Sequence, residues 1–346
     1  MAVDVPDVSV IVVAYGGLDL VVRAADAALA SQGVGIEVIV ANNAIRRQQP
    51  PTHADSSDAS GTGLSAAVRW LEVGFNAGYG GALNRGIAAT RGRYVLCLNQ
   101  DVALAPDYLA RMTAFCDAHP TAGAASGKIL RTPSMGEGPV IDSAGVFMKR
   151  HRGAFDRGEG AVDEGQFDAA SEVFAASGAA LFARRAALDD VAGRDGPFDE
   201  AMFMYKEDVD LGWRLRLRGW SCWYLPEAVA FHGRTSSSLA GRAYRGGAGA
   251  YWRVLRSRPP YVRRHSLQNQ WRMVLKDDSA LASFRGAPAI LGRELALTAA
   301  NALASPSVAI GAVAGFGRGL RATLAERRRV QERRTATGAS MARWFR

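Results

Sequence analysis

The sequence predicts an α/β fold with a mainly helical C-terminal extension. Three observations carry that prediction. Short β-branched runs alternate with helix-period segments from Val8 to His119. Most of these runs end in a polar or glycine turn. After Tyr251 the pattern changes to long Ala-, Leu- and Arg-rich stretches, which divides the chain into residues 1–250 and 251–346. With 346 residues, 48% apolar and 22% charged, the chain can bury a sizeable core and is not a disordered polymer.

Val8 to Ala14, VSVIVVA, reads as a strand buried on both faces, and Gly16-Gly17 breaks it. Leu18, Val21, Val22, Ala25 and Leu29 then recur at helical spacing. Ile36 to Val40 is a second buried strand, ending at Asn42-Asn43. A strand, helix and strand this close together form a βαβ unit, so a parallel sheet is expected. Residues 50–63 read as a loop and Val68 to Val73 as a short strand. A helix starts within Gly74 to Gly86. Tyr94 to Leu98 is a buried strand that stops at Asn99-Gln100-Asp101. Pro106 to His119 is helical, with the proline in its first turn.

Beyond residue 125 the alternation weakens. Short strands are expected at Ala124–Leu130 and Val140–Phe147, around a Gly/Pro loop at Pro133–Pro139. The charged, glycine-rich residues 151–170 read as a flexible loop. An apolar segment, Glu172 to Phe182, leads into Arg184–Val191. A helix within Phe198–Trp220 is capped by Gly219, and the strand Trp223–Phe231 ends at His232. Trp252 to Leu275 is helical apart from Pro259-Pro260. Ala287–Leu303 and Ser307–Leu320 are apolar but lack an uninterrupted run of about 20 residues, so no spanning helix is expected.

The formal net charge is +9, unevenly spread. Residues 251–346 hold 18 Lys and Arg against 5 Asp and Glu, while the rest holds 24 against 28. Such asymmetry suits an anionic surface, either membrane or nucleic acid, and equally a solvated Arg-rich helix. The three widely spaced cysteines, Cys97, Cys116 and Cys222, offer neither a zinc cluster nor a disulfide framework and suit a reducing cytoplasm. The first residues, MAVDVPDVSV, place no basic stretch before an apolar run, so no secretory signal is expected.

Four features carry chemistry. Asp101 follows a buried strand, where open α/β sheets bind ligands. A carboxylate there can hold a divalent cation completed by phosphates and water, or simply cap a helix. In Tyr205–Trp220, three acids precede three arginines. This matches a helix dipole and also suits a general base. His232, at a strand end, reads as a metal ligand or a structural histidine. GFNAGYGGALNRG, residues 74–86, allows close backbone approach and offers helix-start amides to a phosphate. It contains neither a Walker A sequence nor a G-x-G-x-x-G directly after a strand, so a kinase-like P-loop and a simple dinucleotide site are excluded.

In chain order, VSVIVVAY (8–15), VIVANNA (38–44), GFNAGYGGALNRGI (74–87), LCLNQD (96–101), SGAALFARR (177–185), FDEAMFMYKEDVDLGWRLRLRGW (198–220) and VAFHGRTSS (229–237) resemble the family-2 glycosyltransferases, particularly their bacterial rhamnosyltransferase-like branch. The resemblance runs from Val8 to about Ser238. It implies a GT-A fold, Rossmann-like and built to bind a nucleotide sugar. It also implies inverting, metal-dependent transfer of a sugar, rhamnose from dTDP-rhamnose first, to a cell-envelope glycan or lipid-linked acceptor. It places the nucleotide beside Ala14, Tyr15, Asn42 and Asn43, with Asn76 and Asn84 near the ribose and diphosphate. Asn99 and Asp101 match the first and last positions of the family's Asp-X-Asp. Asp101 and His232 would ligate Mg²⁺ or Mn²⁺, and Asp208, of the Glu207-Asp208 pair, would be the base. The family usually has Asp-Asn where this chain has Asn42-Asn43, and an amide lacks the carboxylate's charge.

The chemistry agrees with that assignment. Expelling a nucleoside diphosphate calls for a cation, and an attacking hydroxyl needs one base. A base without an enzyme nucleophile implies single displacement with inversion. Two rival readings remain. A nucleotidyltransferase would want a basic glycine-rich N-terminal loop, which VVAYGGLDL lacks. A nucleic-acid-binding protein would want a recognition module, and the positive charge is confined to the tail, so no nucleic acid partner is expected. The expected location is the cytoplasm, peripheral on the inner face of the membrane through the basic segment 318–334, where seven arginines stand against Glu326 and Glu332.

Overall fold

The computed structural model describes residues 5–43, 63–132, 138–233 and 247–345. Most of the loops read at 50–63 and Pro133–Pro139, and residues 234–246, lie outside them.

The chain runs β1 (Val8–Ala14), α1 (Leu18–Leu29), β2 (Ile36–Asn42), β3 (Val68–Glu72), α2 (Gly78–Ala88), β4 (Tyr94–Asn99), β5 (Val102–Leu104), α3 (Tyr108–Ala118) and β6 (Ala122–Arg131). It continues through the short strands β7 (Ile141–Ser143), β8 (Val146–Met148), β9 (Ala154–Asp156) and β10 (Ser171–Glu172) to β11 (Ala180–Arg184), α4 (Arg185–Val191), a 3-10 turn at Glu200–Met202, α5 (Glu207–Leu217) and β12 (Ser221–His232). Five helices follow: α6 (Gly247–Ser257), α7 (Pro260–Asp277), α8 (Ala280–Ala304), α9 (Pro306–Glu332) and α10 (Gly338–Ala342).

The main sheet has the order β10-β12-β6-β11-β4-β1-β2-β3, with β5 beside β12 and β7 beside β6. β1 pairs in parallel with β2 and β4, and β6 with β12. The sheet is mixed rather than wholly parallel, because β11 runs antiparallel to both β4 and β6. Two reversals bring the carboxyl ends of β1, β2, β4 and β12 to one edge.

Both faces of the sheet are covered, which is why β1 reads as an unbroken apolar run. Val10 and Val12 pack with Leu96, Tyr108 and Met112 on the α1/α3 side. Ile11 and Val13 pack with Leu83, Leu211 and Leu215 on the α2/α5 side. The three cysteines are buried and unpaired.

The structure departs from the expectation of a loop at 151–170. β9 pairs there with β8, and Arg157 lies over the rings of Phe147, Phe167 and Tyr224. Lys128 draws in Asp163 at 2.8 Å, and also Asp168. Polar residues order this segment, so hydropathy does not reveal it.

The C-terminal helices pack against the sheet domain through α5. Met273, Met341 and Trp344 join Met202, Val209, Trp213 and Leu217 in a third core. Arg216 lies 3.4 Å from the Trp344 ring centroid, and Arg152 pairs with Asp278 at 2.9 Å.

Candidate active site

The acids Glu207 and Asp208 open α5 directly after a strained loop. Phe203, Tyr205 and Lys206 all have left-handed backbone, with φ of 61°, 67° and 78°. Such conformations cost roughly 1–3 kcal/mol each and persist only where the surroundings impose them. Here the Tyr79 amide donates to the Phe203 carbonyl at 2.7 Å. From α7, the Asn269 amide nitrogen lies 2.7 Å from the carbonyls of Met202 and Met204 and 3.0 Å from that of Tyr205. Position 78 must be glycine: a Cβ there would lie 2.2 Å from the Phe203 oxygen.

Asp208 is aimed by two backbone amides. Gly178 N–H donates to Oδ2 at 3.0 Å, and Val209 N–H to Oδ1 at 2.8 Å. Burial raises the Asp208 carboxyl above the ordinary aspartate range, opposed by those amides and by Lys206. Burial and the neighbouring Asp208 charge raise Glu207 as well, which keeps it protonated more readily. Lys206 is lowered to about 8 by burial and by Arg293 of α8. The better-stabilised anion of the pair is therefore Asp208, through its two amide donors.

Tyr79 was not singled out in the sequence. Its hydroxyl donates to the Gly178 carbonyl at 3.3 Å. Its titration is pushed far up by burial and by Cys97, Glu207, Asp208 and Asp101. It thus stands within the field of both acidic groups. An aromatic residue in a glycine-rich segment was the signal available.

Asp101 lies in the turn between β4 and β5, well before α3, so it is not a helix cap. The short β5, which the sequence did not reveal, pairs with the end of β12 and sets His232 opposite Val102. His232 Nε2 then lies 3.2 Å from Asp101 Oδ1, and Gly233 N–H donates to the Asp101 carbonyl at 2.7 Å. Behind it, His232 Nδ1 meets Oδ2 of the buried Asp142 at 2.8 Å. Burial disfavours the imidazolium, but the two carboxylates outweigh it and raise His232 to about 9. Burial opposes ionisation of Asp101 too, yet its bond to His232 holds it below the ordinary range.

The donor atoms of Asp101 and His232 suit a divalent cation, which would take the place of the proton between them. Asp142 occupies Nδ1 and leaves Nε2 facing a carboxylate, the arrangement that orients a ligating histidine. Among the described residues, no group of three or more His, Cys, Asp or Glu could hold a metal ion. Diphosphate oxygens and water would have to complete the shell around Asp101 and His232.

The predicted nucleotide residues divide into two groups. Ala14 ends β1, and the exposed Tyr15 is held through its N–H to Gln100 Oε1 at 2.8 Å. Asn42 donates to Glu72 at 2.9 Å, and Asn99 ends β4 half-buried. These four stand at the carboxyl edge of the sheet. Asn43 and Asn76 instead clip the start of α2. Asn43 accepts from Ala77 N–H at 2.8 Å and donates to Asn76 and Gly78, while Asn76 accepts from Gly78 N–H at 3.0 Å. Asn84, expected near the ribose and diphosphate, is buried and exchanges two hydrogen bonds with the Phe198 backbone at 2.8 and 3.0 Å. Its amide is committed to the segment that enters the acidic loop.

Residues 3–251 match the family described as glycosyltransferase like family 2. The chain belongs to that family. It is a glycosyltransferase, and its mixed sheet with helical C-terminal region is a GT-A fold. Over 237 residues, covering 60% of this chain and 75% of the relative, it is 31% identical to N-acetylglucosaminyl-diphospho-decaprenol L-rhamnosyltransferase of Mycobacterium tuberculosis (strain ATCC 25618 / H37Rv). It is 40% identical over 114 residues to the succinoglycan biosynthesis protein ExoO of Rhizobium meliloti (strain 1021), spanning 33% of this chain and 31% of that protein's length. The structure of GalNAc-T7 with UDP, GalNAc and Mn²⁺ superposes on 79% of this glycosyltransferase and 48% of that chain, with a TM-score of 0.53 and 13% identity. That last likeness is one of fold.

Proposed function

We propose that this glycosyltransferase moves a sugar from a nucleotide donor to a hydroxyl group of a cell-envelope glycan or lipid-linked acceptor, in one displacement with inversion. The observation that carries the reading is the Asp208 carboxylate, aimed by the amides of Gly178 and Val209 at the start of α5, with Asp101 and His232 in contact at the carboxyl edge of the sheet. Asp208 accepts the acceptor's proton as its oxygen attacks the anomeric carbon. Tyr79 and Gly178 fix where that carboxylate points. Asp101 and His232 would hold Mg²⁺ or Mn²⁺, which when bound supplies positive charge to the departing diphosphate. Ala14, Tyr15, Asn42 and Asn99 take the nucleotide end of the donor.

Rhamnose, carried on dTDP, is the proposed sugar. A rhamnosyltransferase at 31% identity supports it, and that relative's name also supports a lipid-linked acceptor. Residues 1–250 are read as the catalytic unit and 251–346 as a helical extension, in line with a family match that ends at residue 251. The enzyme is placed at the inner face of the cell membrane. Among the described residues no helix is long and apolar enough to cross a membrane.

A thermal-shift panel of nucleoside diphosphates and nucleotide sugars, with and without Mn²⁺, tests the donor. The largest stabilisation is expected from dTDP-rhamnose with the cation. A larger shift from a UDP- or GDP-sugar would replace the sugar. No shift from any of them would overturn the reading.

A further inference from the structure

We propose that α8 and α9 form a docking face for the surface of an anionic lipid bilayer. The inference rests on the reading of a lipid-linked acceptor and names the surface that would bring the enzyme to it.

On α8, Phe284, Leu291 and Leu295 are 78%, 59% and 70% exposed. Their separations of seven and four residues put them on one helix face. On α9, Ile310, Val313 and Leu324 are likewise exposed and share a face. These side chains are not spare core. α9 already buries Val308 and Ala312 against Leu267 of α7, so the outward apolar residues lie on the side the fold leaves open. A row of large apolar side chains on neighbouring helices exceeds the scattered exposure normal for a soluble surface.

Charge selects the occupant. Arg285, Arg318, Arg321 and Arg328 are exposed on the same two helices, and Arg321 and Arg328 continue the Ile310–Leu324 face of α9. From Ser279 to Ala325 the sequence holds one acid, Glu294. It is half-buried and engaged by Trp271 at 2.9 Å and by Arg293. Beyond Ala325, Glu326 is half-buried and Glu332 stands exposed at the very end of α9, so the face presents apolar side chains and five or more cations against one terminal carboxylate. A second copy of the same face would oppose arginine to arginine. A nucleic acid would leave the apolar row unmatched. An anionic leaflet accepts both, with phosphates meeting the arginines and acyl chains the apolar row.

The position suits the chemistry. The inner side of α8 carries Arg293 and Glu294, whose charges both act on Lys206, the residue before Glu207. A bilayer on the outer side of α8 lies one helix away from the acidic loop.

Full-length protein is sedimented with vesicles of phosphatidylcholine alone or mixed with phosphatidylglycerol. Binding is expected only with phosphatidylglycerol, and it should weaken as salt rises. Leu291→Glu with Leu295→Glu, and separately Arg318→Glu with Arg321→Glu, should each reduce binding by about tenfold or more. All four positions are exposed, and unchanged melting curves and unchanged nucleotide-sugar shifts confirm that fold and donor site are intact. Full-length protein left in the supernatant with anionic vesicles at low salt overturns the proposal. So does equal binding to neutral vesicles, a dimer that Leu291→Glu disperses, or retention by duplex DNA without retention by vesicles. Vesicle binding needs no transfer activity, so failure of the donor panel leaves this result to stand or fall alone.

Discussion

Lys276 Nζ lies 2.6 Å from Oδ1 of Asp210, two residues beyond the proposed base on the same helix. Both side chains are buried, and each has a second partner: Asp199 at 2.6 Å for Lys276 and Arg214 at 2.8 Å for Asp210. Burial opposes the Asp210 charge, but Lys276 and Arg214 outweigh it and lower its pKa to about 2. Adjacent Asp277 is driven the other way by burial and by the Asp210 charge, so it stays protonated. A helix of the C-terminal extension thus fixes the start of α5. Lys276→Met removes one cation and leaves carboxylates buried without it. The expected loss is roughly 3–5 kcal/mol in urea unfolding. An unchanged midpoint would show that Arg214 alone suffices.

Asn269 is a positioning residue. Its amide nitrogen faces the carbonyls of Met202, Met204 and Tyr205, whose segment would otherwise relax from its left-handed backbone. Asn269→Ala should lower kcat by about tenfold or more while KM for the donor stays within about twofold. Loss of the buried hydrogen bonds also costs about 1–3 kcal/mol of stability. A melting point that falls while kcat holds would assign Asn269 a structural role only.

For the base, Asp208→Asn keeps size and removes the proton acceptor, so transfer should fall by about 10²–10⁴-fold with donor binding retained. Glu207→Gln should cost far less. The reverse ranking would move the assignment to Glu207. Burial raises Asp208, so its ionised, active form is lost as pH falls through a value above the ordinary aspartate pKa of about 4. The acid limb of kcat should therefore appear above that pH. A rate still flat at pH 4 contradicts an Asp208 base.

What the sequence showed and what it hid follow from how each feature is made. β1, β2 and β4 were legible because strands covered on both faces must be apolar throughout. β5 was not, since three residues cannot display a period, and the segment around β9 is ordered by strand pairing with β8, arginine–aromatic contacts and the ion pairs of Lys128 with Asp163 and Asp168, none of which shows as hydropathy. Asp101 and His232 stood out as strand-end residues, but only the antiparallel β5–β12 pairing puts them in contact. Asp142 and Asn269 act across long separations in the chain, through strand register and helix packing, and carry no local signature. Asn84 shows the converse case. It matched a motif, yet its amide is spent on the backbone of Phe198.

Asp142 gives the sharpest test of the metal reading. It is buried at 1% exposure and reaches no substrate edge, but it bonds His232 Nδ1 at 2.8 Å and so decides which ring nitrogen faces Asp101. An oriented, more basic imidazole binds a divalent ion better, and loss of such a partner typically lowers affinity by about 10–100-fold. Asp142→Asn should therefore weaken Mn²⁺ binding by that factor when free Mn²⁺ is followed by electron paramagnetic resonance in the presence of a nucleoside diphosphate. Saturating Mn²⁺ should restore most of kcat, because Asp208 and its two amides are untouched. Asp101→Ala, which removes a proposed ligand, should not be rescued by any Mn²⁺ concentration. Unaltered Mn²⁺ affinity in Asp142→Asn would mean that His232 serves the fold at this strand end and that the cation, if one binds, is held elsewhere.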